Sequence, residues 1–219
     1  MGSAIRRPAT SRGEQTRRRL FAAAETEFGC RGFHAASVSS ITREAGVAQG
    51  TFYIYFASKE EILRELVRFM NRKLRHALTR ATCGITDRVE AERVGLEAFL
   101  RFALKEKNLY RIVLESQFID ESIYREYYER MAQVYAVQLE RAQEAGQVCP
   151  GSAYGQAWAL MGMASFLGLR YPVWEGVMPP DEVLDAALAF IRGGLAPEPL
   201  APQRSRPGDQ WRLGTHRRS

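Results

Sequence analysis

From about residue 11 to residue 195, apolar residues recur at helical spacing, and no segment alternates in the two-residue period of a half-buried strand. This regularity restricts the chain to an all-α fold. Apolar residues make up 46% of its 219 positions and charged residues 26%, which is enough to bury a real core and too apolar for a disordered chain. No apolar run approaches the ~20 residues that span a bilayer. The N-terminus is basic and lacks the apolar core of a secretion signal, so no membrane partner and a cytoplasmic location are expected.

The helix boundaries can be read from caps and breakers. Ser11-Arg-Gly-Glu14 has the spacing of a capping box, opening a helix to about Cys30 that carries Leu20, Ala23, Ala24 and Phe28 on one stripe. Gly32 closes it. Ser37 stands where an N-cap belongs, ahead of Val38, Ile41 and Ala45. Gly46-Val47 is a tight turn, followed by a short helix to about Phe56. Ser58-Lys-Glu-Glu61 is a second capping box, opening a long helix from Lys59 to about Arg80. Further helices are expected at roughly 87–105, 109–118, 121–146, 152–173 and 181–195, with breaks at Gly84, Asn108, Asp120, Gly146 with Pro150, and Pro179-Pro180.

A short helix, a glycine turn and a second helix of about seven residues have the geometry of a helix-turn-helix. Ala45 is small where the two helices would cross, and Val47 and Phe52 would plug the core. The opposite face of the second helix, with Gln49, Gly50, Thr51, Tyr53 and Tyr55, is then free to enter a major groove. Charge agrees with a polyanionic partner at this end. Residues 1–59 carry nine Lys/Arg against four Asp/Glu, whereas 60–195 carry seventeen against nineteen. A plain solvated basic surface would show the same charge.

The stretch Thr16-Arg-Arg-Arg-Leu-Phe-Ala-Ala-Ala24, with Phe28, Arg31-Gly-Phe33, Ser37-Val-Ser-Ser-Ile41, Glu44-Ala-Gly-Val47, Gln49-Gly-Thr-Phe-Tyr-Ile-Tyr-Phe56 and Ser58-Lys-Glu, resembles the TetR/AcrR regulators over about residues 14–63. Two positions depart from the family pattern. Glu27 replaces a usually apolar residue and Thr42 a usual alanine.

The resemblance implies an N-terminal three-helix bundle with a helix-turn-helix and a C-terminal helical domain for ligand binding and dimerisation. It divides the chain into a basic arm (1–12), a DNA-binding domain (13–58), a ligand and dimer domain (59–195) and a basic tail (196–219). The implied partners are a double-stranded DNA operator, a small-molecule effector and a second copy of the chain. Ser37 would donate to a phosphate while also capping its helix. Gln49 would read a base edge, since its amide can pair bidentately with adenine. Thr51 and Tyr55 would touch phosphate or a thymine methyl, Tyr53 is either a contact or half core, and Gly50 permits close approach. Lys59 would reach the DNA backbone. Arg6, Arg7 and Arg12 are either a minor-groove arm or a non-contacting tail.

Past residue 80 the family pattern fades. The helix near 152–173 (Ala157, Trp158, Leu160, Met161, Met163, Phe166, Leu167, Leu169) has little polar face and is expected to be buried nearly all round. It would be either a monomer's central helix or, by resemblance, half of a four-helix dimer interface with 181–195. Aromatic and flexible residues crowd 59–146, and Phe99, Phe102, Tyr110, Tyr127 and Met131 are the candidate ligand lining for an amphipathic molecule. Most of them would serve equally as ordinary core. Arg170 either pairs with a ligand anion or extends to solvent. The segments 109–118 and 161–170 are similar to those of regulators that respond to acyl-CoA thioesters.

No catalytic constellation, metal site or cofactor is indicated. His34, His76 and His216 lie far apart, as do Cys30, Cys83 and Cys149, and no glycine-rich phosphate loop occurs. The rival readings are a DNA-binding regulator with no effector and a drug-responsive efflux regulator. Proline and arginine replace apolar periodicity after residue 195, where a disordered basic tail is expected.

Overall fold

The computed structural model describes residues 11–196. The arm residues Arg6 and Arg7 and the tail from residue 197 onward lie outside the described residues. The elements in order are α1 (Ser11–Arg31), α2 (Val38–Glu44), α3 (Gln49–Tyr55), α4 (Lys59–Ala81), α5 (Arg88–Lys105), α6 (Lys107–Ser116), α7 (Glu121–Glu144), α8 (Ala153–Gly168), a π-helical segment (Leu169–Glu175) and α9 (Asp181–Leu195). No strand occurs among the described residues.

The caps account for most of these starts. Ser37 Oγ accepts from Ser40 N at 3.0 Å and Ser40 Oγ accepts from Ser37 N at 3.0 Å, so α2 opens on a reciprocal box. Ser58, Asp87, Asp120 and Ser152 cap α4, α5, α7 and α8 in the same way, each accepting from a backbone amide. Ser11, expected as a cap, is already helical. The break expected at Asn108 falls instead at Glu106, where the chain leaves helical geometry between α5 and α6. The helix expected to run to residue 173 ends at Gly168. Pro172 has no N–H for the ladder, and the chain widens to a π-helical path.

Leu20, Phe28, Ile41 and Phe52 of the first three helices, with Phe56 just past α3, pack with Ile62, Leu63, Leu66 and Met70 of α4, and the same core continues into Leu109 and Val113 of α6. Burial of each such side chain is worth roughly 1.5–3 kcal/mol. α4 therefore belongs to both ends of the molecule. Smaller clusters join α5 to α9 through Leu96, Leu100, Ile191 and Leu195, and α7 to α8 through Leu139 and Ala157.

The expectation that α8 is buried all round is wrong for the single chain. Only Ala153, Ala157 and Gly168 of α8 are buried. Trp158 and Phe166 on α8 and Phe190 on α9 are exposed, the latter two at 75% and 76%. The helix is apolar on a side that its own chain leaves uncovered, which excludes a central core helix.

Candidate nucleic-acid interface and internal cavity

α2 and α3 are joined by a turn at Gly46, whose φ of +63° lies in the left-handed region that favours glycine. Arg19 of α1 clamps this turn by donating to the carbonyls of Ala45 and, at 3.0 Å, Gly46. Arg17 adds an ion pair to Glu65 at 3.4 Å and lies over the Phe56 ring. Phe52 is fully buried, so α3 is fixed by one face. Gln49, Gly50, Tyr53 and Ile54 are exposed on the other, while Thr51 and Tyr55 are half-buried. A rigid two-helix unit thus presents a short, uncharged, mostly polar helix face to solvent. Ile54, 56% exposed, is a member of this face that periodicity did not single out. Its signal was an apolar residue between two tyrosines with no inward partner.

A cavity of about 150 Å³ lies between α4, α5, α7 and α8. Phe99, Tyr127 and Met131 line it, as expected. Phe102 and Tyr110 do not. Phe102 is packed into the main core, and Tyr110 donates its hydroxyl to Ser165 O at 3.0 Å, tying α6 to α8. Burial pushes the Tyr110 phenol up to about 12, so it stays a neutral donor. Arg170 is also outside the lining and pairs with Glu175 at the surface.

The polar side chains of the lining were not anticipated. Arg88 pairs with Glu92, itself buried, and donates to Gln138 Oε1 at 3.3 Å. Tyr135 donates its hydroxyl to the same Glu92 carboxylate, and burial, then the Glu92 charge, hold that phenol well above its ordinary range. Arg75 also lines the cavity, with its Nε buried and unpartnered.

Comparison with known proteins places this architecture. The family model for bacterial regulatory proteins of the tetR family matches residues 20–66, from the second half of α1 into α4. Residues 20–66 carry a TetR-family DNA-binding domain. The HTH-type transcriptional regulator YdgC of Bacillus subtilis is 39% identical over 107 residues, which are 47% of this chain and 54% of that protein. The HTH-type transcriptional activator FasR of Mycolicibacterium smegmatis is 30% identical over 49% of each chain. The chain thus spans about half the length of the curated relatives it matches. Its fold is similar through nearly the full length of solved structures. Salmonella enterica GusR superposes with a TM-score of 0.72 at 17% identity, over 82% of this chain and 95% of that one. The fatty acid degradation regulator FadR of Bacillus halodurans superposes with a TM-score of 0.70 at 18% identity, over 86% and 98%.

Within this TetR-family head, Ser37 is exposed and its oxygen caps α2. Lys59 is not presented as expected. Its Nζ donates to Phe33 O at 2.7 Å and Ala36 O at 2.9 Å and sits 4.2 Å from the Phe33 ring centroid. Two of its three donors therefore pin the α1–α2 loop to the start of α4 rather than face a DNA backbone. Lys59→Ala is expected to cost about 2–3 kcal/mol of folding stability, since hydrogen bonds to charged groups are the stronger kind. Urea denaturation measures this. Unchanged stability with a flatter salt dependence of DNA binding would return Lys59 to the phosphate.

The head is joined to the rest of the chain by α6. Glu115 accepts from the Phe33 amide at 2.8 Å, and α1 approaches α6 so closely that Gly29 has no room for a side chain against Asn108. Glu27, the departure noted in sequence, is buried on α1 and pairs with Arg31 at 3.7 Å. Lys73 of α4 binds Glu106 at 2.6 Å at the α5–α6 break, and burial raises the nearby Glu25 carboxyl while Lys73 opposes the rise.

Proposed function

We propose that this chain is a DNA-binding transcription regulator, not an enzyme, and that it acts as a cytoplasmic homodimer. The α3 face would read the operator, and a small amphipathic effector in the cavity would release it. The observation that carries the reading is α3 itself, a helix anchored by one buried phenylalanine and left open at Gln49, Gly50, Tyr53 and Ile54. The proposal keeps a DNA-binding domain to residue 58 and a ligand and dimer domain from residue 59. Gln49 reads a base edge, Tyr53 and Ile54 lie against base or sugar, and Ser37, Thr51 and Tyr55 approach phosphate. The dimer forms through the uncovered apolar faces of α8 and α9, which sets the two α3 helices about one DNA turn apart.

Ligand and DNA are linked through α4, which is separated from α3 by three residues and lines the cavity with Leu74, Arg75, Leu78 and Thr79. A ligand that favours one placement of α4 shifts the spacing of the recognition helices, and a coupling of about 1–3 kcal/mol is ordinary. An acyl compound as effector is supported by FadR above. It is also supported by the fatty acid metabolism regulator protein of Bacillus subtilis, 54% identical over 35 residues, 16% of this chain and 18% of that protein. Repression is the primary reading. The relative named as an activator makes activation the second, and the sign of a reporter's response on deletion separates them.

Selection of DNA by the purified protein tests the function. Gln49→Ala is expected to lose about 1–3 kcal/mol on the selected sequence and to relax preference at one base position. An unchanged selected motif would remove Gln49 from the reading helix, and failure to select any motif would end the regulator reading.

A further inference from the structure

Within the proposed effector cavity, the charge of the lining narrows the ligand's chemistry. The lining holds two guanidinium groups, Arg75 and Arg88, and one carboxylate, Glu92. Glu92 is taken by Arg88 and by the Tyr135 hydroxyl. Arg75 has neither hydrogen bond nor ion pair among the described residues, and its Nε is shut from solvent. The carboxylates that reach other α4 cations are spent on them, Glu126 on Arg68 at 3.2 Å and Glu106 on Lys73 at 2.6 Å.

Helix register separates Arg75 from the Arg88–Glu92 pair. Contacts Arg64–Asp120, Arg68–Glu126 and Asn71–Tyr127 run in the same order along α4 and α7, so the two helices are parallel. Arg75, one turn past Asn71, then lies at the level of Met131, one turn past Tyr127. The Arg88 contact is at Gln138, seven residues further and about 10 Å along the helix. The Arg75 charge is therefore left uncompensated beside the apolar groups of Phe99, Met131, Leu160 and Met163.

An uncompensated guanidinium in such a site calls for an anion, not for a neutral acceptor. We infer that Arg75 binds the carboxylate of a free organic acid, whose apolar body packs on Phe99, Met131, Leu160 and Met163. A coenzyme A thioester places only a neutral carbonyl at the head of its acyl chain, with its phosphates beyond a long linker. A cationic drug would add a like charge. The inference rests on the effector-cavity reading above and fixes the class of ligand within it.

The test is calorimetric titration of the full-length protein with decanoate, decanol, decanoyl-CoA and decyltrimethylammonium. Decanoate is expected to bind about tenfold or more tightly than decanol, the strength of a charge-assisted pair. Arg75→Gln should abolish that ratio while decanol affinity stays within about twofold, since the apolar packing is untouched. Equal affinities of acid and alcohol in the wild type overturn the assignment, whether or not the variant folds. So do an acid-to-alcohol ratio that survives Arg75→Gln, tighter binding of decanoyl-CoA or the cation than of decanoate, and no binding of decanoate. Tight decanoate binding without release of the selected DNA would keep Arg75 as the carboxylate site and end the effector reading instead.

Discussion

Replacing Gly29 with valine is expected to lower folding stability by about 3 kcal/mol, near the upper range for overpacking. For a chain of this size that corresponds to a fall in melting temperature of roughly 6–12 °C. A Cβ at Gly29 would overlap Asn108 Cβ and Cγ, atoms too near the α6 backbone to swing aside. The helices α1 and α6 must then part, and the hydrogen bond from Phe33 N to Glu115 is pulled with them. Because α6 also reaches α8 through Tyr110, the same change should weaken ligand-dependent release of DNA. Asn108→Gly removes the overlapping atoms, so the double variant should recover most of the loss, a coupling readable in a double-mutant cycle. Equal stability of Gly29→Val and the wild type would mean that α1 and α6 are not in contact in solution.

The helix-turn-helix was legible because its constraints are local. Ser37 and Ser58 announce caps, Gly46 supplies the turn, and the identity of Phe52 as the inward residue follows from helical spacing. Lys59 reads in sequence as a phosphate ligand because it is a cation at a helix start near DNA. Its actual acceptors, the carbonyls of Phe33 and Ala36, become neighbours only when α4 folds back across the α1–α2 loop.

The cavity was legible only in part for the same reason. Aromatic density located Phe99, Tyr127 and Met131, but it could not separate them from Phe102 and Tyr110, which have the same composition and helical spacing and face other elements. The charged lining left still less trace. Arg88 and Glu92 stand four apart and read as an exposed helix pair; only the approach of Tyr135 from α7 shows that they are enclosed. Arg75 is one of five arginines on α4, and what distinguishes it is a buried, unpartnered Nε at the cavity wall, a property that no sequence pattern encodes.

Gly162→Trp is expected to abolish the dimer while leaving the fold of each chain intact. A Cβ built at Gly162 meets nothing within 4 Å in the single chain, and the position is exposed, so a larger side chain has solvent to extend into. Replacing a glycine in a helix interior even removes a conformational penalty of roughly 0.5–1 kcal/mol. The same indole would stand in the way of a second copy closing over Trp158, Phe166 and Phe190. Loss of the linked second half-site should reduce affinity for a palindromic operator by on the order of 10²-fold or more. Sedimentation of the variant as a monomer, with an undiminished helical circular-dichroism spectrum, is the expected pair of results. Unfolding of Gly162→Trp would mean that α8 packs against its own chain at this position. A wild type that sediments as a monomer at micromolar concentration would show that the apolar face of α8 and α9 has some other partner.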